Sequence, residues 1–177
     1  HKHIVIPKET IVFSKPLNIT SHMTLQVDGI LQAIASTAHW PILPPNPIYG
    51  DSQDFIHTNQ YQGFLYAEHA RNIRVTGSGV IDGNGPYWWD LIAQARTNKD
   101  NNNDLLQAGR PNLFQTNNCS GIEMNHVTMK DAAFWTVHPM LSRDIHIHYL
   151  TIRAKLYAPN VDGIDPDSCQ NVMVEYN

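Results

Sequence analysis

Five stretches of the chain share one pattern: His22-Met23-Thr24-Leu25-Gln26-Val27, Ala70-Arg71-Asn72-Ile73-Arg74-Val75, Cys119-Ser120-Gly121-Ile122-Glu123-Met124, Ser142-Arg143-Asp144-Ile145-His146-Ile147 and Cys169-Gln170-Asn171-Val172-Met173-Val174. Each has a spacer, a polar residue and two apolar residues flanking one variable position. Such alternation marks a strand with one buried face. The copies start 48, 49, 23 and 27 residues apart. A coil of about 24 residues fits these values, the two longer gaps holding either two coils or one coil plus a long loop. A second apolar element follows each of the first four copies: Leu31, Val80-Ile81, Val127 with Met129, and Leu150 with Ile152. Every coil therefore carries several short strands joined by Asn, Asp and Gly turns. Only a parallel stack brings like residues to like positions, so the spacing predicts an all-β fold, a right-handed parallel β-helix. A β-sandwich also has short strands at regular intervals, but it does not require one residue type at one phase in copy after copy.

Two stretches fall outside the repeat. Residues 40–55 carry four prolines, which cannot all donate to a ladder, and read as an irregular loop. Pro86 opens a short helix near residues 86–96, followed to residue 109 by a polar Asn/Asp-rich loop. Residues 1–177 read as a single β-helix domain, incomplete at both ends. His1 in place of Met suggests a processed or excised segment, and no charged-then-apolar leader opens the chain. Composition narrows the partners. Charged residues make up 16% of the 177, against about 25% in ordinary domains, which excludes helix bundles and coiled coils. The net charge is −4 and no two Lys or Arg residues adjoin, so nucleic acid is not an expected partner. No apolar run approaches the length of a membrane span.

The phase of the repeat also locates a surface. Eight positions before the first apolar residue of successive copies stand Leu65, Phe114, Val137 and Ile164, a column expected to point inward. Their neighbours Tyr66, Gln115, His138 and Asp165 are expected to point out as a polar ladder along which a long polymer could lie. Beside it, Pro159-Asn160-Val161-Asp162-Gly163-Ile164-Asp165-Pro166-Asp167-Ser168-Cys169 sets three carboxylates within six residues. Glycosidic hydrolysis needs one carboxyl group to protonate the leaving oxygen and a second to activate water or attack the sugar. Clustered acids also push one pKa up. The same segment reads equally as a corner of Asx-turns with exposed acids.

Asn160-Val161-Asp162-Gly163, continued to Cys169, resembles the Asn-Thr-Asp-Gly signature of the polygalacturonases, glycoside hydrolase family 28. Gly77-Ser78-Gly79-Val80-Ile81-Asp82-Gly83-Asn84-Gly85 with Tyr87-Trp88-Trp89, and Ala132-Ala133-Phe134-Trp135-Thr136-Val137-His138-Pro139, resemble two further patterns of that family in order. The resemblance covers nearly the whole chain. It implies a pectin-lyase-like solenoid that hydrolyses α-1,4 bonds of galacturonan by inversion. The implied catalytic residues are Asp162, in the water-activating set, and Asp165, in support; Asn160, His138 and Gln115 are the expected substrate-binding residues. No cofactor or metal is expected. The partner is a polysaccharide, pectin or polygalacturonate, the setting extracellular or periplasmic, and the complete protein a monomer. Val161 stands where the signature has Thr, and Ala132-Ala133 where Ser-Pro is usual. In the family this signature is followed by an Asp-Asp pair, a Gly-His-Gly and an Arg-x-Lys, and this stretch reaches Asn177 before any of them, so the general acid is expected outside it. The isolated chain is accordingly expected to be inactive. Competing readings are a Ca-dependent pectate lyase and an inactive or merely polymer-binding solenoid.

Other residues read more plainly. Trp88 and Trp89 are expected to seal the solenoid's side. His146 and His148 alternate with Ile145 and Ile147 as an exposed strand face rather than a metal pair. Asp162, Asp165 and Asp167 lack the glycine of an EF-hand loop. Asn18-Ile19-Thr20 and Asn118-Cys119-Ser120 are glycosylation sequons. Cys119 and Cys169 share one phase with Ser142 between them. They should lie two coils, about 9.6 Å, apart and stay unpaired, since a disulfide needs Cα atoms within roughly 7 Å.

Overall fold

Short runs with a period of two cannot bury an apolar face alone and gain stability by stacking on copies of themselves. In the computed structural model, which describes residues 1–45, 59–98 and 108–177, they stack as three parallel sheets around one core. The first sheet contains β1 (Lys2–Ile6), β4 (Met23–Val27), β9 (Arg71–Thr76), β13 (Ser120–Asn125), β16 (Arg143–His148) and β18 (Gln170–Glu175). The second contains β2 (Ile11–Ser14), β5 (Ile30–Ala33), β10 (Val80–Asp82), β14 (Thr128–Lys130) and β17 (Thr151–Arg153). The third contains β3 (Leu17–Asn18), β8 (Leu65–Glu68), β12 (Phe114–Asn117) and β15 (Val137–Met140). Bridges from Val137 to Ile164 and from Met140 to Asp167 add the next rung to the third sheet. One strand from each sheet makes a coil, and the fold is the expected parallel β-helix.

Ile73, Ile122, Ile145 and Val172 stand in register in the first sheet. Leu31, Ile81, Met129 and Ile152 do so in the second. Val75, Met124 and Ile147 complete the buried core. Two details differ from expectation. The gaps of 48 and 49 residues are each one coil plus an insertion, because Met23 pairs with Ile73 and Ile73 with Ile122. The first copy also sits two residues away from its expected register, with Met23 rather than Leu25 opposite Ile73. A slip of two keeps every side chain on its face, so the apolar pattern does not detect it.

Both insertions leave the corner between the second and third sheets, at residues 34–64 and 83–113. The second contains α1 (Gly85–Asn98), which begins one residue before and ends two after the expected span. Trp88 and Trp89 are buried, and Trp88 packs edge-on against Trp40 at 5.1 Å and lies 5.2 Å from Tyr61, sealing the side as expected. The insertions join in a small sheet of β6 (Ile42–Leu43), β7 (Asn59–Tyr61) and β11 (Ala108–Gly109). Ile42–Leu43 is thus a strand within the stretch read as irregular. The rest of that stretch from residue 46, and residues 99–107 of the expected polar loop, lie outside the described residues.

The opposite corner, from third sheet to first, is tight and repeats. Left-handed residues recur there in four successive coils, one on leaving the third sheet and one at the second residue of the first-sheet strand: His69 and Asn72, Asn118 and Gly121, Leu141 and Asp144, Ser168 and Asn171. Asn, Asp, His and Gly tolerate that conformation best. Between them Cys119, Ser142 and Cys169 form the expected column, and both cysteines are free thiols. Each polar atom meets a backbone N–H: Ala70 N–H donates to Cys119 Sγ (3.4 Å) and Cys119 N–H to Ser142 Oγ (3.0 Å).

Candidate active site

Residues 162–167 are pinned to β15 by backbone bonds. Thr136 N–H donates to the Asp162 carbonyl (2.8 Å), Asp165 N–H to the Val137 carbonyl (2.9 Å), and Asp167 N–H to the Pro139 carbonyl (2.9 Å). Ile164 continues the inward column of Leu65, Phe114 and Val137, which directs Asp165 to the opposite face. Asp162 is exposed and Asp165 half-buried. Asp165 Oδ2 is inaccessible and has no hydrogen-bond partner among the described residues. Burial, with the neighbouring Asp162 charge adding, raises the Asp165 pKa above the ordinary carboxylate value. The segment therefore offers one accessible carboxyl group beside a second that holds its proton more tightly than an ordinary carboxylate.

The expectation of an open ladder needs correction. Tyr66, Gln115 and His138 are in register, but all three are buried, Gln115 at 2% exposure and His138 at 3%. The cause is the pair of insertions, whose residues fold over this face. Gly63 N–H donates to Gln115 Oε1 (3.0 Å) and Gln115 Nε2 reaches Gln60 Oε1 (3.4 Å). A Cβ at position 63 would come within 2.7 Å of the Gln115 Cβ, so only glycine permits the approach. His138 accepts from Asn112 Nδ2 through Nδ1 (3.2 Å), with Trp135 edge-on at 4.6 Å. Burial pushes its pKa down to about 4, outweighing Asp167, which pulls the other way. At neutral pH it is an uncharged imidazole.

Two features escaped the sequence. The more open column is two residues further along each strand: Glu68 is exposed, Asn117 and Asp167 are half-buried, and Met140 is buried. Asn117 Nδ2 donates to Glu68 Oε1 (3.1 Å). The alternation that gave the first column gives this one too. A cleft of about 490 Å³ opens there between Asn18, Leu43, Gln62, Tyr66 and Glu68. Among the described residues, Glu68 is its one acidic or basic lining group.

The second feature is Arg110, just after β11 and 5% exposed. Its Nη1 donates to the carbonyls of Ala133 (2.8 Å) and Pro159 (2.9 Å), and its Nη2 to Asn160 Oδ1 (2.8 Å). The guanidinium also lies 5.0 Å from the centre of the Phe134 ring. Burial, with Arg96 adding, lowers its pKa to about 10, so it stays charged at neutral pH. A lone arginine before a proline carries no pattern that would single it out.

Of the five expected site residues, Asn160, Asp162 and Asp165 come together on one segment, while Gln115 and His138 lie under cover beside it. Among the described residues no three His, Cys, Asp or Glu side chains are arranged to hold a metal. No helix there is long and apolar enough to cross a membrane.

The family model described as Glycosyl hydrolases family 28 matches residues 1–177. A Vitis vinifera protein described as "Probable polygalacturonase" is 33% identical over 161 residues, 89% of this chain and 31% of its own. Exopolygalacturonase B of Aspergillus niger is 28% identical over 164 residues, 89% of this chain and 34% of its own. Among solved structures, the family 28 exopolygalacturonase of Yersinia enterocolitica superposes with a TM-score of 0.80 at 21% identity, over 97% of this chain and 36% of that one. The polygalacturonase of Erwinia carotovora gives 0.73 at 23% identity, over 93% and 44%. These likenesses show the fold. The chain spans about a third of the length of the curated relatives it matches.

Proposed function

The chain belongs to glycosyl hydrolases family 28, and from that membership we propose that the protein carrying it hydrolyses α-1,4-glycosidic bonds of galacturonan in pectin by an inverting, two-carboxylate mechanism. The relatives named polygalacturonase and exopolygalacturonase support this reading. The observation that carries it is the pairing of Asp162, exposed, with Asp165, whose buried Oδ2 favours the protonated form. Neighbouring acids held in unlike environments divide their protons unequally. Asp162, the exposed carboxyl group, takes a proton from water as the water attacks the anomeric carbon. Asp165 supports the site beside it. The leaving oxygen is protonated by an acid elsewhere in the protein. Inversion leaves room for a water between the two carboxyl groups, which in such enzymes stand roughly 6.5–9.5 Å apart.

Asn160 contacts the sugar, and Gln115 and His138 brace the floor from beneath their cover. The protein works outside the cytoplasm, in a secreted or periplasmic setting, as a monomer on an extended polysaccharide. Incubation with polygalacturonate tests the proposal. New reducing ends of inverted anomeric configuration, with no ultraviolet absorbance from a new C=C bond, are expected. An unsaturated product would assign a lyase, and binding without turnover a polymer-binding solenoid.

A further inference from the structure

Arg110 carries its charge into the interior with no carboxylate beside it among the described residues; its acceptors there, the Ala133 and Pro159 carbonyls and Asn160 Oδ1, are all neutral oxygens. A guanidinium has donors only. The Asn160 atom facing it at 2.8 Å is therefore the carbonyl Oδ1, and the amide Nδ2 turns to the other side. Asn160 is exposed, left-handed at φ 56°, and two residues before Asp162. Two bonds from the same guanidinium, to the Pro159 and Ala133 carbonyls, fix the backbone entering this turn and the strand approach beside it.

We infer that Arg110 is a positioning residue that locks the Asn160 side chain with its two amide N–H donors facing the sugar bound beside Asp162. The inference rests on the glycosidase reading above. It deepens that reading by assigning Asn160 a donor role toward an acceptor oxygen of a uronate ring, and by assigning that role's orientation to a residue of a different coil. An unlocked amide presents its oxygen as readily as its nitrogen, and an oxygen there repels both an anionic sugar and Asp162.

The test uses the protein carrying this chain and the variants Asn160→Asp, Arg110→Met and Arg110→Lys, read by thermal melting and by kcat and KM on polygalacturonate. Asn160→Asp gives the buried guanidinium a carboxylate partner but removes both donors. The expected result is an unchanged or raised melting temperature with kcat/KM down roughly 10²-fold, the scale of losing one oriented donor. Arg110→Met, melting as a folded protein, loses activity on a similar scale, and Arg110→Lys, which keeps a donor, recovers part of it. A purely structural role would make stability and activity fall together. Asn160→Asp within threefold of parental activity, or a folded Arg110→Met at parental activity, overturns the inference while leaving the glycosidase reading intact. If the parent does not hydrolyse polygalacturonate, that reading fails instead. The melts still judge the lock, because Asn160→Asp melting below the parent contradicts it.

Discussion

The two corners flanking the third sheet behave in opposite ways. From third sheet to first, each of four successive coils turns over the same short span with a left-handed residue at either end. Polar side chains stack across the coils there: Asn118 Nδ2 on His69 Nδ1 (2.9 Å) and Asn171 Nδ2 on Asp144 Oδ1 (3.0 Å). From second sheet to third, the spans are 34–64, 83–113, 131–136 and 154–163, and no two have the same sequence pattern. Arg110, Asn160 and Asp162 all come from this irregular corner. A turn held on both sides by its own copies cannot change in one coil without disturbing the next. The opposite corner is free to vary, and the proposed site draws residues from it.

The largest effect expected from this division is at the irregular corner. Asp162→Asn should lower the rate of reducing-end release from polygalacturonate by roughly 10²–10⁴-fold, the worth of a general base, with an unchanged circular dichroism spectrum. A parental rate would make Asp162 a turn residue and leave that corner without its chemistry. The regular corner should respond in stability instead. Gly121 sits at φ 66° with Asn72 Oδ1 2.8 Å from where a Cβ would be. Gly121→Val should therefore cost ~1–3 kcal/mol in denaturant unfolding, with the rate per folded molecule preserved.

A smaller loss, about 1 kcal/mol, is expected for Cys119→Ala, which leaves the buried Ala70 N–H without its acceptor. Cys119→Ser should lose less. Thiol titration of the unreduced, denatured protein should count two groups, and a Cys119–Cys169 bridge would break the coil register itself. The smallest effect concerns pH. Because the folded pKa of Asp165 is raised, its carboxyl favours the folded state below the ordinary carboxylate pKa of 3.8, and that contribution is lost as pH rises through the folded value. Asp165→Asn should thus stabilise the protein at pH 7 relative to its effect at pH 3, in paired melts. Equal shifts at both pH values would contradict this.

Legibility in the sequence divides along the same line. The solenoid and the inward column from Leu65 to Ile164 followed from repeated alternation, because each coil imposes its phase on the next. The unpaired cysteines followed too, once Ser142 placed a coil between them. The two-residue slip at Met23 was not legible, since both registers bury the same face. At the site, Asp162 and Asp165 were marked by a density of carboxylates that needs no partner to be noticed. The cover over Gln115 and His138 depends on Gln60, Gly63 and Asn112, which lie in insertions without a period. Arg110 was invisible for the same reason: its meaning lies in Pro159 and Asn160, about fifty positions away.

The two long insertions also constrain inheritance. Their strands pair, Asn59 with Ala108, and Trp40 from one meets Trp88 from the other. A recombination that carried one into a relative without its companion would leave an indole facing water and an edge strand unpaired. The two should therefore be gained, lost and grafted as one piece, though a complete strand of each of the three sheets separates them along the chain.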